Sequence, residues 1–146
     1  MLRFAGLITA FATAAVIASP AAFSALTPNP CKLISAADAK AALGAAVGKP
    51  LLLPAGRYQS CIYTASSKRL VVLARTLGKS DFTRSAKANP GPVVAVAGIG
   101  SSAYSAGGGA SLLVWKNGAE LAVSIFGIHA PLHAEEQLAK KAVAKL

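Results

Sequence analysis

Asn117-Gly118 stands between two apolar-rich runs, Leu112 to Lys116 and Ala119 to Phe126. Both central residues of a type I′ turn need positive φ, which Asn and Gly accept at low cost. The twist of that turn also matches the twist of paired strands. The pair therefore specifies a hairpin and its register. Lys116 faces Ala119, Trp115 faces Glu120, Val114 faces Leu121, and Leu112 faces Val123. Side chains alternate across a sheet. One face carries Leu112, Val114, Leu121, Val123 and Ile125, a core face. The other carries Leu113, Trp115, Glu120, Ala122 and Ser124, which is mixed. A chain with this hairpin must build an antiparallel sheet and cover its apolar side.

The rest of the chain supplies the cover. Ser35 begins a helix, with Asp38 at capping-box spacing and Gly44 suited to its end. Residues 45–57 hold Gly48, Pro50, Pro54 and Gly56 and read as a loop. Tyr58 to Ala65 and Arg69 to Leu77 read as strands joined at Ser66-Ser67. Ser80 caps a shorter helix reaching about Ala88, stopped by Asn89-Pro90-Gly91-Pro92. One or two short strands fit between Val93 and Ser105, and Gly107-Gly108-Gly109 makes a flexible tip. Pro131 opens a last helix, with Leu138, Ala142, Val143 and Leu146 as its buried stripe. The expected fold is α+β: an antiparallel sheet of four to five strands, helices packed on one face, and one disulfide.

The N-terminus carries an export pattern. Arg3 precedes an apolar run from Phe4 to Ala18, Pro20 breaks it, and small residues follow. Residues 1–25 are expected to be a secretory signal peptide, and 26–146 a single exported domain. An uncleaved anchor is the competing reading, with Pro20 against it. Lipidation is rejected, because Pro28-Asn29-Pro30 before Cys31 is no lipobox. Cys31 and Cys61 are the only cysteines. In an oxidising compartment an isolated pair bonds. Closing that loop would stabilise the fold by about 3.5 kcal/mol on the chain-entropy model.

Charge narrows the partners. The chain has 15 basic and 5 acidic residues, a formal net charge of +10. Losing Arg3 with the signal leaves 14 against 5, or +9. With 54 % hydrophobic and 14 % charged residues the chain is not disordered. The positive field suits an anionic cell-envelope component or another exported protein. Nucleic acid is not expected, because the basic residues lack interleaved aromatics. Any membrane contact is peripheral.

Several segments in order resemble a domain family of small exported actinobacterial proteins and lipoproteins of unknown function. They are Asn29-Pro30-Cys31-Lys32-Leu33-Ile34-Ser35, Ser60-Cys61-Ile62-Tyr63, Val96-Ala97-Gly98-Ile99-Gly100 with Ala103-Tyr104, and Leu113-Val114-Trp115-Lys116-Asn117-Gly118. The resemblance spans nearly the whole exported part. It implies a cell-envelope domain with a disulfide between elements and no known catalytic residues. Two departures stand out: the lipobox is absent, and Ser101 follows Gly-x-Gly where an acid is frequent.

No set of residues completes a catalytic site. Gly98-Ile99-Gly100 through Ala103 fits a loose dinucleotide fingerprint, but the glycines at 107–109 forbid the helix that must follow. His129 and His133 are four apart with Glu135 and Glu136 beyond, yet Pro131 between them breaks the helical spacing a metal would use. Asp38, Asp81, Glu135 and Glu136 sit in first helical turns, where negative charge is favoured. Only Glu120 lacks a structural role, and one carboxylate is poor ground for acid–base work. No enzyme activity, cofactor or metal is expected. The candidate binding surface is Trp115 with Leu113 and Glu120. Three functions remain: an envelope binding or structural domain, a secreted inhibitor presenting 50–57 or 105–110, and a small hydrolase or metal-binding protein.

Overall fold

A computed structural model describes residues 27–89 and 91–146. The expected signal segment, 1–25, lies outside them. The described elements are α1 (Pro30–Leu33), α2 (Ala36–Leu43), β1 (Leu51–Ala55), β2 (Tyr58–Ala65), β3 (Lys68–Thr76), α3 (Lys79–Lys87), β4 (Val94–Ala95), β5 (Ser102–Ala106), β6 (Ser111–Lys116), β7 (Ala119–Phe126) and α4 (Leu132–Val143).

The strands form one antiparallel sheet in the order β1-β2-β3-β7-β6-β5-β4. It has seven strands, not four to five. The expected loop at 45–57 contains β1. Pro54 hid it, yet a proline on an outer strand costs no ladder bond when its nitrogen points away from the neighbour. The hairpin at Asn117-Gly118 has the expected register, with φ of 51° and 79° at its two turn residues.

The first sheet face is the core. Leu70, Val72, Leu112, Val114, Leu121 and Val123 are all fully buried there. Against it lie α1, α2 and α4. Helix α2 is held by a complete capping box: Ser35 Oγ accepts from the Asp38 N–H, and Asp38 accepts from the Ser35 N–H. Gly44 ends it at φ 67°. Three lysines finish helix ends by donating to carbonyls of the last turn. Lys145 Nζ reaches Leu33 O at 2.8 Å, Lys68 Nζ reaches Leu43 O at 2.8 Å, and Lys116 Nζ reaches Val143 O at 2.7 Å.

Helices do not all share that face. Paired residues in an antiparallel sheet point the same way, so Tyr104, Leu113, Trp115, Glu120 and Arg75 lie on the second face. Helix α3 packs there through Phe82, whose ring centroid is 5.6 Å from that of Tyr104. Its cap is Gly78 rather than Ser80, so the helix starts earlier than expected, and Phe82 and Ala86 form its buried stripe.

The disulfide is formed. Cys31 on α1 bonds Cys61 on β2, with Cα atoms 5.1 Å apart. Beside it Tyr63 donates its hydroxyl proton to Ile34 O. Burial pushes that phenol up from its ordinary range, and the negative Asp38 adds to the shift.

Candidate functional site

The second sheet face divides into a covered half and an open one. The covered half holds all three residues expected to bind. Trp115 is half-buried, and its Nε1–H donates to Leu77 O at 2.7 Å. Lys79 Nζ lies 6.0 Å from its ring centroid, within cation–π reach. The residues leading into α3 therefore occupy the edge of the indole. Leu113 lies beside it on the same face, half-buried between Tyr104 and Ala122 in the register.

Glu120 has a structural role after all. It is 3 % exposed, and Oε2 accepts from Arg75 Nη2 at 2.8 Å. Arg75 also reaches Ser85 Oγ of α3 at 3.3 Å. A buried carboxylate needs such a partner, because an unpaired charge would lose its hydration for nothing. Its acceptor capacity faces a guanidinium, not a substrate position. The pair joins the two residues across β3 and β7 and is tied to α3.

The histidines do not converge. His129 is exposed in the loop before α4, and His133 is exposed in the first turn of α4. Among the described residues, no group of three or more His, Cys, Asp or Glu could hold a metal ion. The Gly98-Ile99-Gly100 turn runs into strand β5, so no helix N-terminus follows it. A Cβ on Gly100 would meet Val114 Cγ1 at 2.6 Å and Trp115 O at 2.8 Å. That glycine serves close approach to β6, not a phosphate.

Glu135 sits in the first turn of α4, as the sequence predicts, and is fully buried. Oε1 accepts from the Ile125 N–H at 2.9 Å, and Oε2 has no hydrogen-bond partner among the described residues. Burial pushes the carboxyl up to about 7, opposed by the Ile125 bond. The sequence held a signal for this. Glu135 is three and four residues before Leu138 and Ala139, so it belongs to the buried stripe. Asp38 behaves oppositely. Hydrogen bonds from Lys141 and then from Ser35 pull its carboxyl down to about 2, and the Lys141 contact links α2 to α4.

The open half has no counterpart among the sequence expectations. Leu51, Leu53, Ile62, Val71, Leu73 and Phe126 share the second face by register, and α3 packs on β6, away from β1 and β2. Leu51 is 55 % exposed, Leu53 42 %, and Phe126 51 %. Ile62, Val71 and Leu73 are half-buried, while Cys61, Leu70 and Val72 beside them in sequence are fully buried on the covered face. Arg69 stands exposed on this half, next to Phe126. The sequence carries one further fact: between Asp38 and Asp81 there is no acidic residue. Lys49, Arg57, Lys68, Arg69 and Arg75 all fall in that interval. Among the described residues no helix is long and apolar enough to cross a membrane. Comparisons with protein-family models, with curated proteins and with solved structures find no match to this chain.

Proposed function

We propose that this chain is an exported, non-catalytic binding domain of the cell envelope, and that its partner is anionic. The observation that carries the reading is the open half of the second sheet face. It presents aliphatic side chains beside Arg69, in a part of the chain without carboxylates. Exposed apolar patches with a charged rim mark contact surfaces. A single sign of charge around the patch selects partners of the opposite sign.

The binding surface thus shifts from Trp115 and Glu120, which α3 covers, to the neighbouring strands, with Leu113 at the boundary. A disulfide between elements is consistent with an exported domain. The inhibitor reading has less support. Residues 51–55 form a strand, and Gly107-Gly108-Gly109 all take positive φ, a weak basis for a rigid inserting loop. The hydrolase reading is weakened because Glu120, the carboxylate outside any first helical turn, is paired with Arg75.

The test uses the full exported protein, immobilised, with a solubilised envelope fraction. An anionic component should be retained at low salt and released by high salt. Arg69→Glu, on an exposed side chain, should abolish retention. Equal retention by that variant, or turnover of a component by the protein, would overturn the reading.

A further inference from the structure

Strand β1 breaks two rules of a stable surface at once. Leu51, Leu52 and Leu53 are consecutive and all exposed, at 55, 38 and 42 %. Successive side chains of a strand point to opposite faces, so these leucines project on both sides of the sheet margin. A run of exposed apolar residues on an outer strand is an aggregation hazard unless it has a use.

Pairing with another strand is not that use. Ala55 and Tyr58 flank the two-residue turn Gly56-Arg57 and pair directly. Residues flanking a two-residue turn make the hydrogen-bonded kind of pair, and the pattern then alternates. Ala55, Leu53 and Leu51 therefore turn their backbone groups toward β2, and Pro54 and Leu52 turn theirs outward. Pro54 has no N–H. Within β1 the outer margin offers one donor, that of Leu52. A second copy or a foreign strand would find almost no ladder.

Cations bracket the leucines. Lys49 and Arg57 are exposed on either side of the strand. With no acid between Asp38 and Asp81, nothing in β1, β2 or β3 neutralises them. A ridge with apolar side chains on both sides and a cation at each end needs no matching groove. It fits a soft apolar phase beneath a layer of phosphates.

We propose that β1 is a membrane-contact ridge, which seats Leu51, Leu52 and Leu53 in the interfacial region of an anionic lipid bilayer while Lys49 and Arg57 meet the headgroup phosphates. This rests on the reading of the chain as an envelope binding domain and names the partner. Partial insertion of apolar side chains together with basic residues gives reversible, composition-dependent attachment.

The test is co-sedimentation of the full exported protein with vesicles of phosphatidylcholine alone or mixed with phosphatidylglycerol. Binding is expected only with phosphatidylglycerol. Leu51→Ser with Leu53→Ser should lower the partition coefficient about tenfold or more. Its thermal midpoint should stay close to that of the parent, because both leucines are largely exposed. Should that variant fail to fold, Lys49→Gln with Arg57→Gln keeps the proposal testable, with a loss of about tenfold or more at low salt. Binding that high salt abolishes and that the leucine variant leaves unchanged is electrostatic adsorption, and overturns insertion. Capture of an acidic protein through these leucines, with no vesicle binding, overturns the bilayer as partner. Absence of vesicle binding while Arg69-dependent retention of an anionic envelope component persists removes this proposal and leaves the broader one standing. Loss of both removes both.

Discussion

Arg75 and Glu120 meet across the junction of β3 and β7, with Nη2 2.8 Å from Oε2, and the two ends of this pair are unequally buried. The arginine side chain is 29 % exposed and the glutamate 3 %. Removing the arginine strands a carboxylate that has no route to water. Removing the glutamate leaves a guanidinium that can still reach solvent. Arg75→Ala should therefore cost about 3 kcal/mol, and Glu120→Ala about half of that. Urea denaturation of both variants checks the order; a larger loss for Glu120→Ala would contradict it. Arg75→Met with Glu120→Leu should recover most of the stability, because no buried charge remains.

Trp115 is held by its edge as well as by its face. Trp115→Phe keeps a ring over the sheet but deletes the donor to Leu77 O, and should cost about 1 kcal/mol. Trp115→Ala should cost about 3 kcal/mol. Retention of the anionic partner should fall only as far as the folded fraction falls. A Trp115→Ala protein of unchanged thermal midpoint that fails to bind would return the site to Trp115.

Glu135 makes stability depend on pH in the direction opposite to most carboxylates. Its value is about 7 in the fold against 4.5 for the ordinary group. A raised acid favours the protonated fold. Its contribution is complete below pH 4.5, falls as pH rises through the interval, and is gone above about 7. The drop is of order 3 kcal/mol. Glu135→Gln keeps an acceptor for Ile125 and should flatten the profile of denaturation midpoints between those limits. An unchanged slope in the variant would assign the dependence elsewhere.

Cys31→Ser with Cys61→Ser should lower stability by about 3.5 kcal/mol. The unfolded, unreduced parent should yield no free thiol on alkylation. Two labelled thiols per chain would refute the closed bond.

The exported protein should start between Ala22 and Leu26, as read by mass spectrometry. The Arg3, apolar run and Pro20 pattern motivates this. Material that still contains residues 4–20 would establish an anchor instead.

What the sequence disclosed was local. Asn117-Gly118 and Ser35 with Asp38 act within a few residues, so the turn, its register and the α2 cap could be read directly. Contacts made across the sheet could not. Glu120 finds Arg75 across 45 positions, and no motif links them. The partner of Trp115 is a backbone carbonyl, which every residue has. Strand β1 is hidden in the sequence for another reason. Its leucines do not alternate with polar residues, and Pro50, Pro54 and Gly56 read as punctuation. Only the neighbouring strand reveals that Pro54 sits where no donor is needed. The open face follows from the direction α3 takes, and hydrophobic periodicity does not encode that.

The strand order also separates the sheet into two meanders. Strands β1, β2 and β3 follow one another in space as in sequence, and β7, β6, β5 and β4 do the same in reverse. A single junction, β3 against β7, joins them, running from Arg69 beside Phe126 to Thr76 beside Ala119. Each meander closes through short hairpins and needs little loop entropy, so each can form early. Their union must wait for residues 77–93 to fold back, and until then both inner strands present bare margins. Two chains exchanging halves at this junction would keep every strand pair, with 77–93 as the hinge. The interval before that junction forms is therefore the moment of greatest exposure to swapped dimers. Shortening that segment would trap the exchange, because the chain could no longer turn back on itself.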